Sequence, residues 1–159
     1  MTGLHIETRG DGPEPLVMIH GWAMHGGILE PLVDELASRY TMYVVDLPGH
    51  GYSRQSDIPL DPLACARAIA AATPRATWLG WSLGGLVALT AALDVPEAVG
   101  AVVPVCSTPR FVRAADWPQG NDATVVRQLA ADLEADYKAT VERFIALEAM
   151  GSPDPVAET

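Results

Sequence analysis

The chain has 159 residues, 49% of them hydrophobic and 19% charged, enough to bury one core and too few for more than one full-sized domain. Ten basic residues against twenty acidic ones leave a formal charge of −10, which excludes nucleic acid and anionic membrane surfaces as partners of the chain as a whole. The longest apolar runs, such as Ala98 to Cys106, are too short to cross a bilayer, and the opening MTGLHIETRGDG has no basic flank leading into an apolar core, so a cytoplasmic location is expected.

Strand and helix patterns alternate along the chain. LHIETRG, with Leu4, Ile6 and Thr8 in alternation, suits a half-exposed strand, and GDGPEP is a turn. LVMIH, from Leu16 to His20, is a continuous apolar run ending in glycine, as an inner strand covered on both faces requires. Leu29, Leu32, Val33, Leu36 and Tyr40 recur at helical spacing, and TMYVVD reads as the next buried strand. Pro48, Gly49 and Gly51 force a loop in DLPGHGYSR. Asp61 and Pro62 stand where an N-cap and a first helical residue belong, opening a helix over PLACARAIAAA. ATWLGW is a strand, LGGLVALTAAL a helix, and GAVVPVC a further strand whose Pro104 argues against regular central pairing along its whole length. Cys65 and Cys106 show no metal-ligand spacing and are expected to be buried, reduced thiols.

The rhythm predicts an α/β fold, a mostly parallel sheet with helices on both faces, over residues 1–107. From 108 to 159 the character changes. An irregular passage, STPRFVRAADWPQGND, precedes two helical patterns with no strand between them, one carrying Val125, Val126, Leu129 and Leu133, the other Val141, Phe144, Ile145, Leu147 and Glu148. This is the pattern of a helical cap inserted over the carboxyl ends of the strands, where open α/β sheets bind ligands.

The chemistry concentrates at the junction of the ATWLGW strand and the helix after it. Gly80-Trp81-Ser82-Leu83-Gly84 spells G-x-S-x-G, which puts a serine on a sharp strand-to-helix turn with its hydroxyl exposed for attack. Ser82 is the candidate nucleophile; the competing reading is a serine that only caps the helix. A tetrahedral intermediate needs two N–H donors, one from Leu83 after the nucleophile and one from the loop HGWAM, which points to Trp22. His20 at that strand end is expected to be structural, because in this arrangement the base follows the nucleophile in chain order.

HGWAM, DLPGHGYSR, WLGWSLGGLVA and TVERFIALEAMG together resemble the α/β-hydrolase superfamily and, within it, the carboxylesterases that cleave pimeloyl-acyl-carrier-protein methyl ester in biotin synthesis. The resemblance runs from Leu4 to Gly151 and corresponds to the N-terminal portion of that fold. It implies Ser82 as nucleophile, Trp22 and Leu83 as oxyanion-hole and substrate contacts, and the cap run of Phe144, Ile145, Ala146, Leu147 and Glu148 as the lining of the acyl channel. Glu148 stands where a neutral glutamine is more familiar. It further implies an acidic acyl-carrier protein as partner, an enzyme able to work as a monomer, and a reaction needing no cofactor or metal. Arg110, Arg113, Arg127, Lys138 and Arg143 are half of the basic residues and fall in the last third; Arg143 is the candidate contact to the carrier.

Two elements of the triad, the histidine and its acid, are missing from this pattern. His5, His20, His25 and His50 all precede Ser82, and the carboxylates after it, among them Asp94, Asp116 and Asp122, lie before any later strand that could present a triad acid. The expectation is therefore a truncated esterase, inactive by itself and of poor stability. The alternatives are a general α/β hydrolase for other short acyl esters or lactones, and a non-catalytic module that binds an acyl group or carrier protein.

Overall fold

Five strands form one sheet in the order β1-β3-β2-β4-β5, in a computed structural model whose described residues are 3–150. The strands are β1 (Ile6–Arg9), β2 (Glu14–Ile19), β3 (Tyr40–Val45), β4 (Ala76–Trp81) and β5 (Val99–Val105). β1 pairs antiparallel with β3; the β3-β2, β2-β4 and β4-β5 ladders are all parallel. Parallel neighbours need crossovers, and α1 (Glu30–Leu36), α2 (Pro62–Ala72) and α3 (Leu83–Asp94) supply them.

β2 shows why its sequence is apolar without alternation. Val17 and Ile19 point into a core shared with Cys65, Ala66 and Ile69 of α2 and Val87, Ala88 and Ala91 of α3. Leu16 and Met18 point the other way, against Met42, Val44, Leu29 and Val33 of the α1 side. Both faces of the strand are covered from Leu16 to Ile19, so these four positions are all apolar. The mostly parallel α/β sheet expected from the sequence is the fold observed.

Local chemistry sets the helix ends. Asp61 accepts from the N–H groups of Leu63 and Ala64 at 3.1 and 3.0 Å, with Pro62 at the first helical position, so α2 begins where its cap residues dictate. Tyr40, by contrast, is not helical: α1 stops at Leu36 and Tyr40 opens β3. Pro104 is accommodated because β5 ends the sheet among the described residues; it sits opposite Gly80 in the β4 ladder. Cys65 is fully buried, and burial pushes its thiol up to about 11. Cys106 corrects the expectation of two buried thiols: it is exposed, because it follows an edge strand with little packed over it.

The chain divides into two compact units, Met1–Pro109 and Arg110–Thr159. The second contains α4 (Ala123–Ala135) and α5 (Tyr137–Glu148). Asp122 caps α4 through the N–H of Thr124 at 2.8 Å, and Asp136 both ends α4 and caps α5 through the N–H of Ala139 at 3.1 Å. The helix pair is stapled by Arg143, which donates to Asp132 at 2.9 Å while Gln128 donates to the other oxygen of the same carboxylate at 2.8 Å.

Candidate active site

Ser82 has φ 52° and ψ −114°, a conformation that costs a residue with a Cβ about 1–3 kcal/mol and persists only where the surroundings hold it. They do so through the backbone. The Ser82 N–H donates to Val105 C=O at 2.9 Å, and the Ser82 C=O accepts from the N–H groups of Gly85 at 3.0 Å and Leu86 at 3.3 Å. The Ser107 hydroxyl donates to the same carbonyl at 2.6 Å. Ser82's own hydroxyl makes no capping bond to α3, which removes the reading of a serine that serves only as a cap.

The glycines around it are required by contact. A Cβ on Gly80 would lie 2.2 Å from the backbone of Gly84; one on Gly84 would lie 2.3 Å from the Ile19 carbonyl oxygen; one on Gly85 would lie 2.4 Å from Ser107 Cβ. The start of α3 is thus pressed against the ends of β2 and β4, and Leu83, its first residue, has one of the N–H groups that no helical carbonyl can reach.

The loop after β2 meets this turn directly. A Cβ on Gly21 would sit 3.0 Å from the Trp81 ring and 3.3 Å from Ser82 Cβ, so any larger residue would have to push these neighbours back. Trp22 follows it, half-buried, in a turn closed by Met24 N–H to Gly21 C=O at 3.3 Å. The structure therefore brings Ser82, Leu83 and the Trp22 turn together within one unit.

Three side chains lace the loops after β2 and β3. His20 is fully buried; its Nδ1–H donates to Gly21 C=O at 2.6 Å and its Nε2 accepts from Leu47 N–H at 3.0 Å. Burial lowers its pKa to about 4. With both ring nitrogens committed, His20 is structural and neutral. His50 mirrors it, with Nε2 accepting from Ala23 N–H at 3.1 Å and Nδ1 directed at Pro48 C=O at 2.9 Å. Asp46, 4% exposed, accepts from Gly26 N–H at 2.7 Å and Tyr52 N–H at 2.8 Å. The other two histidines are also engaged elsewhere: His5 packs its ring on Tyr52, and His25 accepts from Gly27 N–H. The roles of Asp46, His50 and Ser107 escaped the sequence reading; the signal available for Asp46 and His50 was only the loop motif DLPGHGYSR, and Ser107 lies outside it.

The cap residues divide. Phe144 and Leu147 of α5 line an open groove of about 470 Å³ with Val125 and Leu129 of α4, flanked by Asp132 and Arg143. Ile145 is half-buried, while Ala146 and Glu148 are exposed and lie outside that lining. The basic residues of this unit are largely compensated within it: Arg110 pairs with Asp116, Lys138 with Glu142 and Arg143 with Asp132, and Arg113 donates to the carbonyls of Pro118 and Gly120.

Residues 14–157 match the family model described as alpha/beta hydrolase fold. The chain belongs to the α/β-hydrolase fold family. Among curated hydrolase-fold relatives, it is 50% identical over 149 residues to "Pimeloyl-[acyl-carrier protein] methyl ester esterase" of Xanthomonas axonopodis pv. citri, covering 94% of this chain and 58% of that protein. It is 51% identical to the protein of the same name in Stenotrophomonas maltophilia, again over 94% of this chain and 57% of the relative. The chain thus spans somewhat over half the length of these relatives. Among solved structures, an esterase of Exiguobacterium antarcticum superposes with a TM-score of 0.77 at 25% identity, covering 96% of this chain and 60% of that one. No described helix is long and apolar enough to cross a membrane.

Proposed function

We propose that the chain carries the nucleophile and oxyanion hole of a cytoplasmic serine carboxylesterase that hydrolyses the methyl ester of pimeloyl-acyl-carrier protein. The observation that carries the reading is Ser82, held at φ 52° on a glycine-walled turn with its hydroxyl outside the capping network. The likeness at about half identity to esterases named for that substrate supports the substrate class.

In this mechanism Ser82 Oγ attacks the ester carbonyl and its proton passes to a general base. The oxyanion is held by the N–H groups of Leu83 and Trp22. The tetrahedral intermediate collapses, methanol leaves with the proton returned to it, and water then cleaves the acyl-enzyme to the free carboxylate. Since each of the four histidines is engaged elsewhere, the general base and its acid are assigned to residues outside these 159. Phe144, Ile145, Ala146, Leu147 and Glu148 are proposed to contact the acyl chain, with Phe144 and Leu147 supplying the apolar part. Arg143 is proposed to contact the acidic carrier, although its guanidinium is already shared with Asp132.

The test is methanol release from pimeloyl-carrier methyl ester, alongside other methyl esters and lactones, by the protein expressed from its gene with any in-frame sequence beyond codon 159. Turnover that favours the pimeloyl ester and disappears in Ser82→Ala supports the proposal. Turnover that survives Ser82→Ala overturns it. The 159-residue chain by itself is expected to keep at most the residual catalysis of an oxyanion hole without a base.

A further inference from the structure

The turn Gly21–Met24, closed by Met24 N–H to Gly21 C=O, has Trp22 and Ala23 as its central residues. Ala23 takes φ +64°. In such a turn that position ordinarily belongs to glycine or asparagine, because a Cβ crowds the backbone in the left-handed region. The turn's own sequence offers no compensation. It comes instead from the loop after β3, where His50 Nε2 accepts the Ala23 N–H at 3.1 Å. Nε2 can accept only if the ring proton is on Nδ1, and Nδ1 lies 2.9 Å from Pro48 C=O, an acceptor that fixes that tautomer. The His50 ring is further packed 5.3 Å from that of His20, whose own bonds to Gly21 and Leu47 tie the same two loops.

We propose that His50 is a positioning residue for the oxyanion hole: as the Nδ1–H tautomer it accepts the Ala23 N–H and holds the Gly21–Met24 turn in the conformation that presents the Trp22 N–H to the substrate. The inference rests on the assignment of Trp22 to the oxyanion hole made above. His50 touches no reacting atom and acts only through Ala23.

The experiment is solution NMR on the ¹⁵N-labelled chain. The imidazole nitrogens of His50 should show the Nδ1–H tautomer. His50→Ala should speed hydrogen exchange at Ala23 about tenfold and shift the amide signals of Trp22 and Ala23. His50→Gln, which retains a side-chain acceptor, should restore most of the protection. Ala23→Gly added to His50→Ala should return the Trp22 signal toward its original position, because glycine holds the turn without outside help. A histidine needed only for packing would give neither rescue. An Nε2–H tautomer in the unmutated chain, or Trp22 and Ala23 amides unmoved in a folded His50→Ala variant, overturns the proposal. Should His50→Ala fail to fold, the tautomer and the His50→Gln exchange rates decide it. None of these readouts needs turnover, so a failed esterase assay counts against the proposed function and leaves the His50 result standing.

Discussion

His20 couples the architecture of the site to pH. It is buried as the neutral ring, and burial holds its pKa at about 4 in the folded chain against 6.5 for an ordinary histidine. Between those values the unfolded chain binds a proton that the folded chain does not, so stability rises with pH across the window and is lost as pH falls through it. The full difference amounts to roughly 3 kcal/mol. The expected result is a urea midpoint that falls steadily from pH 6.5 to 4, with this component of the slope removed in His20→Gln, which cannot titrate. Equal slopes for the two proteins would show that His20 is not held neutral. Asp46 belongs to the same network but serves differently: its two oxygens each take a backbone N–H, from Gly26 and Tyr52, so it ties the loop after β2 to the loop after β3.

The turn between β4 and α3 is where sequence and structure agree in most detail, and the reason is locality. The determinants of the Ser82 turn, Gly80, Gly84 and Gly85, lie within three residues of the serine. The start of α2 was equally legible because Asp61 and Pro62 act on their immediate neighbours. Features that depend on distant partners were not. Nothing near His50 in sequence announces a bond to Ala23, twenty-seven positions earlier. Tyr40 fits the helical period of α1 yet belongs to β3, since pairing with Glu14 decides its state. The exposure of Cys106 depends on what covers β5, which its own neighbours do not encode. The glycine argument itself can be tested. Gly80→Ala, whose new methyl would meet backbone atoms at 2.2 Å, should cost about 3 kcal/mol, since backbone cannot swing aside as a side chain can. Gly49→Ala places its methyl in open space at φ +80° and should cost only about 1 kcal/mol for the left-handed conformation. Chemical denaturation of both variants measures the contrast; since Gly80 does not lie in the left-handed region, similar losses would mean that the backbone around it yields to the methyl.

At the scale of the whole molecule the sheet is covered unevenly. β2 and β3 sit inside, but β5 ends the sheet among the described residues, and Val103 and Val105 are 42% and 39% exposed. The strand carries no charged side chain, and of the usual protections of an edge it has only Pro104, whose missing N–H removes one donor from the open side. A strand of this kind offers unpaired N–H and C=O groups and apolar side chains to any second strand, which is the geometry of edge-to-edge association. The formal charge of −10 opposes that association, and salt screens the opposition. The 159-residue chain is therefore expected to self-associate as its concentration rises, more strongly at high salt, when followed by sedimentation velocity. Val103→Lys places a charge on the exposed side of the edge and should shift the population toward monomer without altering the far-ultraviolet circular dichroism. A chain that stays monomeric at every concentration and salt would mean that charge repulsion and the twist of β5 suffice to protect the edge. Association unchanged by Val103→Lys would place the contact elsewhere, with the open groove of Val125, Leu129, Phe144 and Leu147 the next apolar surface to substitute.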